Sequence, residues 1–200
     1  EELMILTIDI GTTNCKIALF NTDGVMVHYN AVALESNLYL SEGVLINPLA
    51  FSIALKHLFS SLPSAKDIEA IIVTGSGPSL VPVLSDVYVH EGLLTSKTAT
   101  ARLYLDRRAT EEADKVSRAW GSFVDPSFFL PKALYIARHE KDIYDKTISF
   151  LSSYDYINYL LTGERLAIIH ASDAVKWYYN DEVLDTLHLD KDKFAPLIAP

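Results

Sequence analysis

An aspartate followed by a turn of small polar residues lies near the start of the chain. The stretch ILTIDIGTTNCKIALFN, residues 5–21, places Asp9 shortly before a turn made of Gly11, Thr12, Thr13 and Asn14. An ionised carboxylate at the end of a buried strand costs free energy unless it is paired or hydrated. Asp9 therefore either caps a tight turn or faces a cavity that holds a cation.

The turn after Asp9 offers the groups that bind phosphate. Gly11 lets the backbone approach an oxyanion, and consecutive N–H groups in a turn form a positively polarised nest. The hydroxyls of Thr12 and Thr13 can donate to phosphate oxygens, and Lys16 follows closely enough to add a charge. Asp9 can hold Mg²⁺ directly or through water. A plain hairpin with Gly in its turn and Thr for β propensity explains the same spacing equally well.

Two common nucleotide-binding patterns are absent from the sequence. It has neither a P-loop, with four residues between a Gly and Gly-Lys-Ser/Thr, nor a dinucleotide GxGxxG motif. A nucleotide phosphate that binds near Asp9 is therefore expected to bind at a hairpin and not at a helix N-terminus.

The composition limits the classes of partner and the cellular compartment that we expect for this protein. The chain has 200 residues and a formal net charge of -9. An acidic chain has no general attraction for nucleic acid or anionic membranes, so we expect neither partner. Cys15 is the one cysteine, which excludes an internal disulfide and fits a cytoplasmic protein. We expect no signal peptide or membrane span, and the start at Glu1 and the end in LIAP indicate a fragment of a longer protein.

The first half of the chain predicts a sheet that is joined by a helix. Residues 3–10 and 15–21 read as strands, and the GTTN turn between them is too short for a crossover, so they should pair antiparallel. Residues 25–34 add a third strand, giving a β-meander. A helix is predicted at 48–61, opened by Asn47 and Pro48, and a buried strand from Ile68 to Thr74 ends in a small-residue loop.

The second half is predicted to be mainly helical. Pro82 suggests short strands on an edge within 80–84 and 87–95. Helices are predicted over 106–119, where Asp106 opens the helix, over 130–146, and over the stretch SSYDYINYLLTG, which has a Ser cap and stops at Gly163. A short strand and further helices follow. This order of elements is typical of an α/β layer architecture.

Several stretches resemble one known family. ILTIDIGTTNCKIALFNTDG resembles the first phosphate motif of the actin-like ATPase superfamily, especially that of the FGGY carbohydrate kinases, which include xylulokinases, glycerol kinases and gluconate kinases. IIVTGSGPSLVPV is similar to the family's sugar-contacting strand and loop, and LYLDRRATEEADKV to its Trp-x-Asp-x-Arg segment. FFLPKALYIARHEKDIYDKTISFLSSYDYINYLLTGE and HASDAVKWYY follow in family order. The resemblance covers nearly the whole chain.

The resemblance implies a fold and an activity. The fold is an α/β, ribonuclease H-like (actin-like ATPase) domain with a mixed sheet flanked by helices. Residues 1–200 would form the sugar-binding N-terminal domain, truncated, with the nucleotide-binding C-terminal domain outside this chain. The implied reaction transfers the γ-phosphate of ATP, with Mg²⁺, to a hydroxyl of a sugar or polyol such as a xylulose-like ketose or gluconate. The catalytic base is expected beyond residue 200, so the fragment alone should be inactive.

The resemblance also assigns roles to matching residues at the phosphate hairpin. It implies that Asp9 is catalytic and orients the metal and the γ-phosphate. The phosphate-binding residues it implies are Gly11, Thr12, Thr13, Asn14 and Lys16. Among these, Thr13 and Lys16 would lie near the transferred group.

The sugar-binding residues implied by the resemblance lie in three stretches. They are Ser76, Gly77, Pro78, Ser79, Asp106, Arg107 and Phe128. Each has a simpler explanation that the sequence leaves open. A strand-terminating turn explains 76–79, a helix N-cap explains Asp106, and core packing explains Phe128 with its neighbour Phe129.

Departures from the family pattern leave the sugar open. Tyr104 stands where Trp is usual, and LINPLAF lacks the expected acid. The 76–79 loop has neither the histidine of xylulokinases nor the Arg-Glu pair of glycerol kinases. Two alternatives stay open: a non-catalytic actin-fold binding or assembly protein, and a kinase-derived sugar sensor. A homodimer is a candidate assembly.

Overall fold

The structure, a computed structural model, describes residues 3–34, 37–40, 43–168 and 178–198. Most of the HASDAVKWYY stretch lies outside the described residues. No helix within the described ranges combines the length and the apolar character needed to cross a membrane.

A mixed sheet forms the centre of the fold. Strands β1 (Met4–Ile10), β2 (Asn14–Asn21) and β3 (Met26–Ala33) pair antiparallel in sequence order, which confirms the predicted meander. Strand β6 (Ile68–Gly75) pairs parallel with β1, so the sheet has the order β3-β2-β1-β6. The carboxyl ends of β1 and β6 therefore lie side by side.

Alternating residues of β1 bury one face of this sheet. Leu6, Ile8 and Ile10 are almost completely buried. Helix α1 (Leu49–Ser60) packs against β2 and β3, and helix α5 (Ser153–Thr162) against β1 and β6. Each fully buried aliphatic side chain contributes about 1.5–3 kcal/mol to folding, so this core fixes the register of β1.

The prediction that β6 is a buried strand is wrong. Ile71 is 44% exposed and Ile72 is 54% exposed. Within the described residues β6 has β1 as its neighbour on one side and ends the sheet on the other. The apolar run indicated a strand correctly, but the burial of its side chains depends on which elements cover the two faces of the sheet, and Ile71 and Ile72 are left accessible.

Short strands build smaller sheets around the centre. Their bounds are β4 (Asn37–Leu40), β5 (Gly43–Ile46), β7 (Val81–Val83), β8 (Tyr88–His90), β9 (Leu93–Thr95), β10 (Ala101–Arg102), β11 (Ser149–Leu151), β12 (Ala167–Ile168) and β13 (Leu197–Ile198). The described pairings are β10-β5-β4, β11-β7, β8-β9 and β12-β13. The short strands expected around Pro82 are thus present, although β7 is buried.

The remaining helices differ from the predictions at their ends. They are α2 (Thr110–Trp120), α3 (Phe129–His139), α4 (Lys141–Lys146), α6 (Asp181–Thr186) and a 3-10 turn at Lys191–Lys193. Helix α2 begins four residues after Asp106, so the prediction that Asp106 opens it is wrong. The helix predicted over 130–146 breaks at Glu140, whose φ and ψ are -132° and 53°. The caps predicted for α5 are confirmed, because Ser152 accepts from the Asp155 N–H and Gly163 is left-handed.

Candidate functional site

Asp9 lies at the carboxyl end of β1, on the face opposite the buried Ile8 and Ile10. It is the cross-strand partner of Lys16, and Lys16 Nζ lies 3.1 Å from Asp9 Oδ2. The two side chains are 41% and 42% exposed. The carboxylate is thus paired and reached by solvent, which removes the cost of burying it alone.

The turn after β1 is tight at both of its ends. The Gly11 N–H donates to the Asn14 carbonyl at 2.9 Å. A Cβ on Gly11 would lie 2.9 Å from that same carbonyl oxygen, so any larger residue would force the turn to move. The Asn14 side chain donates to Thr13 Oγ1 at 3.1 Å. The sequence thus closes β1 and β2 with a hairpin whose turn stands at the edge of the sheet next to Asp9.

The 76–79 loop leaves the sheet beside this hairpin. In the parallel register Ile10 faces Gly75, and the Ser76 N–H donates to the Ile10 carbonyl at 2.8 Å. The ladder therefore continues one residue past β6. The predicted phosphate turn and the predicted sugar loop consequently share one edge of the sheet, where open α/β sheets bind ligands.

The first turn of α5 is hydrogen-bonded to the 76–79 loop. Ser79 is fully buried, and its hydroxyl donates to Ser153 Oγ at 2.9 Å and accepts from the Ser153 N–H at 2.8 Å. Ser153 Oγ in turn donates to the Ser76 carbonyl at 3.3 Å. Gly77 is exposed and Pro78 is half-buried. The loop therefore presents 76–78 outward while Ser79 anchors it.

A second segment, 103–107, is held against this loop. Leu80 and Arg102 exchange two backbone hydrogen bonds, at 2.9 and 2.8 Å. Lys132 on α3 adds a side-chain link, because its Nζ donates to the Pro78 carbonyl at 2.9 Å and to the Leu103 carbonyl at 2.8 Å. The stretches that the sequence singled out at 76–79 and 104–107 are thus neighbours.

Asp106 and Arg107 occupy different environments. Asp106 is 2% exposed, and Arg108 donates to both of its carboxylate oxygens at 2.9 and 2.7 Å. Burial alone would raise the pKa of Asp106, but the hydrogen bonds and charge of Arg108, with the charge of Arg102, hold it below its ordinary value. The Arg107 side chain is 58% exposed and pairs with Asp125 at 2.9 Å. Arg107 therefore faces solvent while Asp106 is engaged inside.

Sequence reasoning missed the buried charges that surround Asp106. Arg102 is 4% exposed and pairs with Glu140, and its Nη1 lies 3.7 Å from Asp106 Oδ2. The guanidinium groups of Arg102 and Arg108 both lie over the Tyr135 ring, 5.7 and 5.5 Å from its centroid. The sequence does contain one indication of these charges: Arg102 stands between the apolar residues Ala101 and Leu103. A charge at a buried strand position must be paired, so a partner for Arg102 could have been expected.

The two phenylalanines at the start of α3 separate in the structure. Phe129 is 1% exposed and stacks on Tyr178 with ring centroids 4.9 Å apart. Phe128 precedes the helix and is half-buried. Phe129 thus belongs to the core, and Phe128 stays the predicted sugar-facing residue.

The donor set fits Mg²⁺ better than a metal that needs a full protein cage. Within the described ranges, no cluster of three or more His, Cys, Asp or Glu residues is placed to hold a metal ion. Mg²⁺ keeps several waters and is commonly bound through one or two carboxylates plus substrate phosphates. A half-exposed Asp9 beside the predicted phosphate turn fits that requirement.

Gly75 sets how closely β1 and β6 approach at this edge. A Cβ there would lie 2.9 Å from the Ile10 carbonyl oxygen and 3.2 Å from Ile10 Cβ. We expect Gly75→Ala to destabilise the protein by about 1–3 kcal/mol, because both neighbours belong to the sheet and must shift. In the control Gly77→Ala the new Cβ would lie 3.5 Å from its nearest neighbour, Tyr154 Cε1, which is an ordinary contact distance. The stability of this variant should therefore stay within about 0.5 kcal/mol of the wild type. Urea unfolding measures both, and equal stability of the two variants would contradict the expectation.

Known proteins match this chain along nearly its whole length. It is 25% identical to the xylulose kinase of Klebsiella pneumoniae over 215 residues, which cover 97% of this chain and 42% of that protein. Among solved structures, the gluconate kinase of Lactobacillus acidophilus superposes with a TM-score of 0.79 at 18% identity, covering 100% of this chain and 42% of that one. The xylulose kinase of Rhodospirillum rubrum gives 0.77 at 20% identity, covering 98% and 43%.

These similarities confirm the predicted fold, an actin-like ATPase α/β domain with a mixed sheet flanked by helices. The chain spans about two fifths of the length of the relatives it matches, 42% in the Klebsiella protein. Residues 4–199 match the N-terminal domain of the FGGY family of carbohydrate kinases. The chain therefore belongs to the FGGY carbohydrate kinase family.

Proposed function

We propose that the complete protein transfers the γ-phosphoryl group of Mg·ATP to a hydroxyl of a sugar or polyol, such as a xylulose-like ketose or gluconate. The matched family consists of carbohydrate kinases, whose reaction is phosphoryl transfer to an alcohol. In this proposal the chain provides the sugar-binding wall of the cleft and the hairpin that faces the transferred phosphate.

The observation that carries the proposal is the meeting of three segments at one sheet edge. The 11–14 turn and the 76–79 loop leave the neighbouring ends of β1 and β6, and the Ser76 N–H donates to the Ile10 carbonyl between them. The 103–107 segment joins through the Leu80 and Arg102 backbone pair. Phosphoryl transfer depends mainly on positioning and charge neutralisation, so a phosphate turn next to a sugar loop is the arrangement that it needs.

We assign the roles at this edge from exposure and charge. Asp9 would hold the magnesium, directly or through water, and Lys16 beside it would keep the carboxylate in place and add positive charge toward phosphate oxygens. Thr12, Thr13 and the backbone of the turn would bind those oxygens. Bound Mg²⁺ supplies charge neutralisation on the transferred phosphoryl group.

The sugar contacts divide by the direction in which the side chains face. Gly77, Pro78 and Arg107 are exposed or half-exposed at the loop and the 103–107 segment, so we propose that they contact the substrate. Ser79 and Asp106 are buried and hydrogen-bonded to the interior. We therefore propose that these two shape the substrate wall without touching the sugar.

A substrate panel tests the proposal. ADP release by the complete protein is measured with Mg·ATP and single pentuloses, hexonates and polyols, and products are identified by mass spectrometry as phosphate esters. We expect one class of acceptor to stimulate ADP release at least tenfold over the acceptor-free rate, with stoichiometric ester formation.

Other results separate the alternatives. Saturable sugar binding without any phosphate ester would support a sugar sensor and contradict the kinase proposal. Filament formation on ATP with no sugar binding would support an assembly protein. Sugar-dependent ADP release without ester formation would contradict transfer to the sugar.

A further inference from the structure

Lys132 is a buried amine that the proposed chemistry does not use. It is 1% exposed on α3, and its Nζ makes hydrogen bonds to two backbone carbonyls, those of Pro78 and Leu103. The Leu103 carbonyl also accepts from the Asp106 N–H at 3.0 Å, which closes the turn that leads to Arg107. One side chain thus joins both segments of the proposed sugar wall.

The environment of Lys132 gives it no partner for charge pairing. Within the part of the chain that the structure describes, Lys132 forms no ion pair, and its two hydrogen bonds go to neutral carbonyls. Burial lowers the pKa of Lys132 to about 7; the charge of Asp106 opposes this shift and that of Arg102 adds to it. An apolar side chain at this position would avoid the cost of burying an amine.

We propose that Lys132 is a positioning residue for the acceptor sugar, which sets the spacing between the 76–79 loop and the 103–107 segment by bonding to a carbonyl in each. The inference rests on the proposed kinase function. It does not depend on which sugar binds. Lys132 itself lies behind the wall, so it acts through Pro78 and Leu103 and not on the reacting atoms.

Both hydrogen bonds of Lys132 join parts of the chain that are far apart in sequence. Lys132 is 54 residues from Pro78 and 29 from Leu103, so its hydrogen bonds are long-range constraints on two irregular segments. The Leu80–Arg102 backbone pair fixes the segments at one end. Without the amine, the portions that face the sugar, 76–78 and 104–107, would separate more freely. Misplacing binding groups by small distances is sufficient to weaken substrate binding.

Steady-state kinetics of the complete protein test this role. For Lys132→Met we expect the KM for the sugar to rise at least tenfold, while the KM for ATP stays within about twofold. Lys132→Arg, which restores N–H donors, should recover part of the sugar KM. The matched control is Leu134→Ala on the same helix. Leu134 is buried and lines a cavity together with residues of α2 and of the turn after α6, so the variant should lose stability without changing either KM.

Hydrogen exchange supplies a readout that does not need turnover. In Lys132→Met the amides of Leu80 and Asp106 should exchange at least tenfold faster than in the wild type when each rate is divided by that of the Ile8 amide in the central sheet, and in Leu134→Ala these ratios should not change. An unchanged sugar KM in Lys132→Met, with stability lost as in Leu134→Ala, would reduce Lys132 to a structural residue and overturn the proposal. If the wild type phosphorylates no sugar, the proposed function fails. Unchanged exchange at Leu80 and Asp106 would overturn the positioning role separately.

Discussion

Replacing Asp9 with asparagine should lower kcat of the complete protein by about 10²–10³-fold, the loss typical of removing one group that stabilises charge in the transition state. Asn keeps the shape of the side chain but not its charge, so it would hold Mg²⁺ poorly beside the 11–14 turn. The Asp9–Lys16 pair is about two-fifths exposed, and such pairs contribute roughly 0.2–1 kcal/mol. Folding stability should therefore change by less than about 1 kcal/mol.

The matched control for this variant is Asp23→Asn. Asp23 lies in the exposed turn between β2 and β3, at the other end of the same meander. Its replacement by asparagine changes the net charge by the same amount as Asp9→Asn. It should keep wild-type kcat and stability. Sugar binding, measured by calorimetry without nucleotide, should be unchanged in both variants. An Asp9→Asn protein that retains more than about a tenth of wild-type kcat would contradict the role assigned to Asp9.

The features that the sequence predicted correctly are local ones. The β1–β2 hairpin follows from two apolar runs separated by four residues, because so short a connection forces antiparallel pairing. The caps of α5 follow from Ser152 and Gly163, whose effects reach only one turn of helix. Such features need no knowledge of distant parts of the chain.

The features that it missed depend on distant partners. The exposure of β6 is decided by which distant elements cover the faces of the sheet, and its apolar run carries no information about that. Asp106 was expected to open a helix, yet it is held inside by Arg108 and Arg102. Lys132 lies within a stretch that resembles the family, but the local sequence gives no sign of its acceptors, which are remote along the chain.

The structure therefore leaves the location of the predicted site unchanged but alters which of its side chains are accessible to a ligand. The 11–14 turn and the 76–79 loop meet at one edge of the sheet, and the 103–107 segment lies beside the loop. Within them, Ser79 and Asp106 are interior anchors, whereas Gly77 and Arg107 are accessible. A motif identifies the segment that forms a site, but burial decides which of its side chains can reach a ligand.

Asp155 shows how far the support of the sugar loop extends into the core. It is completely buried; Oδ2 accepts from Ser152 Oγ at 2.7 Å and from the Tyr178 hydroxyl at 3.1 Å, and Oδ1 accepts from the Ile168 N–H at 3.0 Å. Burial raises the pKa of Asp155, and these hydrogen bonds oppose the rise. The Tyr178 hydroxyl is also bonded to that of Tyr154 at 2.7 Å. The Tyr154 ring lies under Gly77, 3.5 Å from where a Cβ would stand.

Asp155→Ala should therefore destabilise the protein by about 3–5 kcal/mol, because each buried donor left without an acceptor costs about 1–3 kcal/mol. Asp155→Asn should recover much of this loss, since its amide oxygen can still accept from the Ile168 N–H and its amide nitrogen can donate to a hydroxyl oxygen. The control Asp145→Ala removes an exposed carboxylate paired with Lys141, which is worth at most about 0.5 kcal/mol. Urea unfolding of the three variants measures these differences. If Asp155→Ala unfolds within about 1 kcal/mol of the wild type, the network around Asp155 does not hold the start of α5, and the support proposed for the 76–79 loop must come from Ser79 and Ser153 alone.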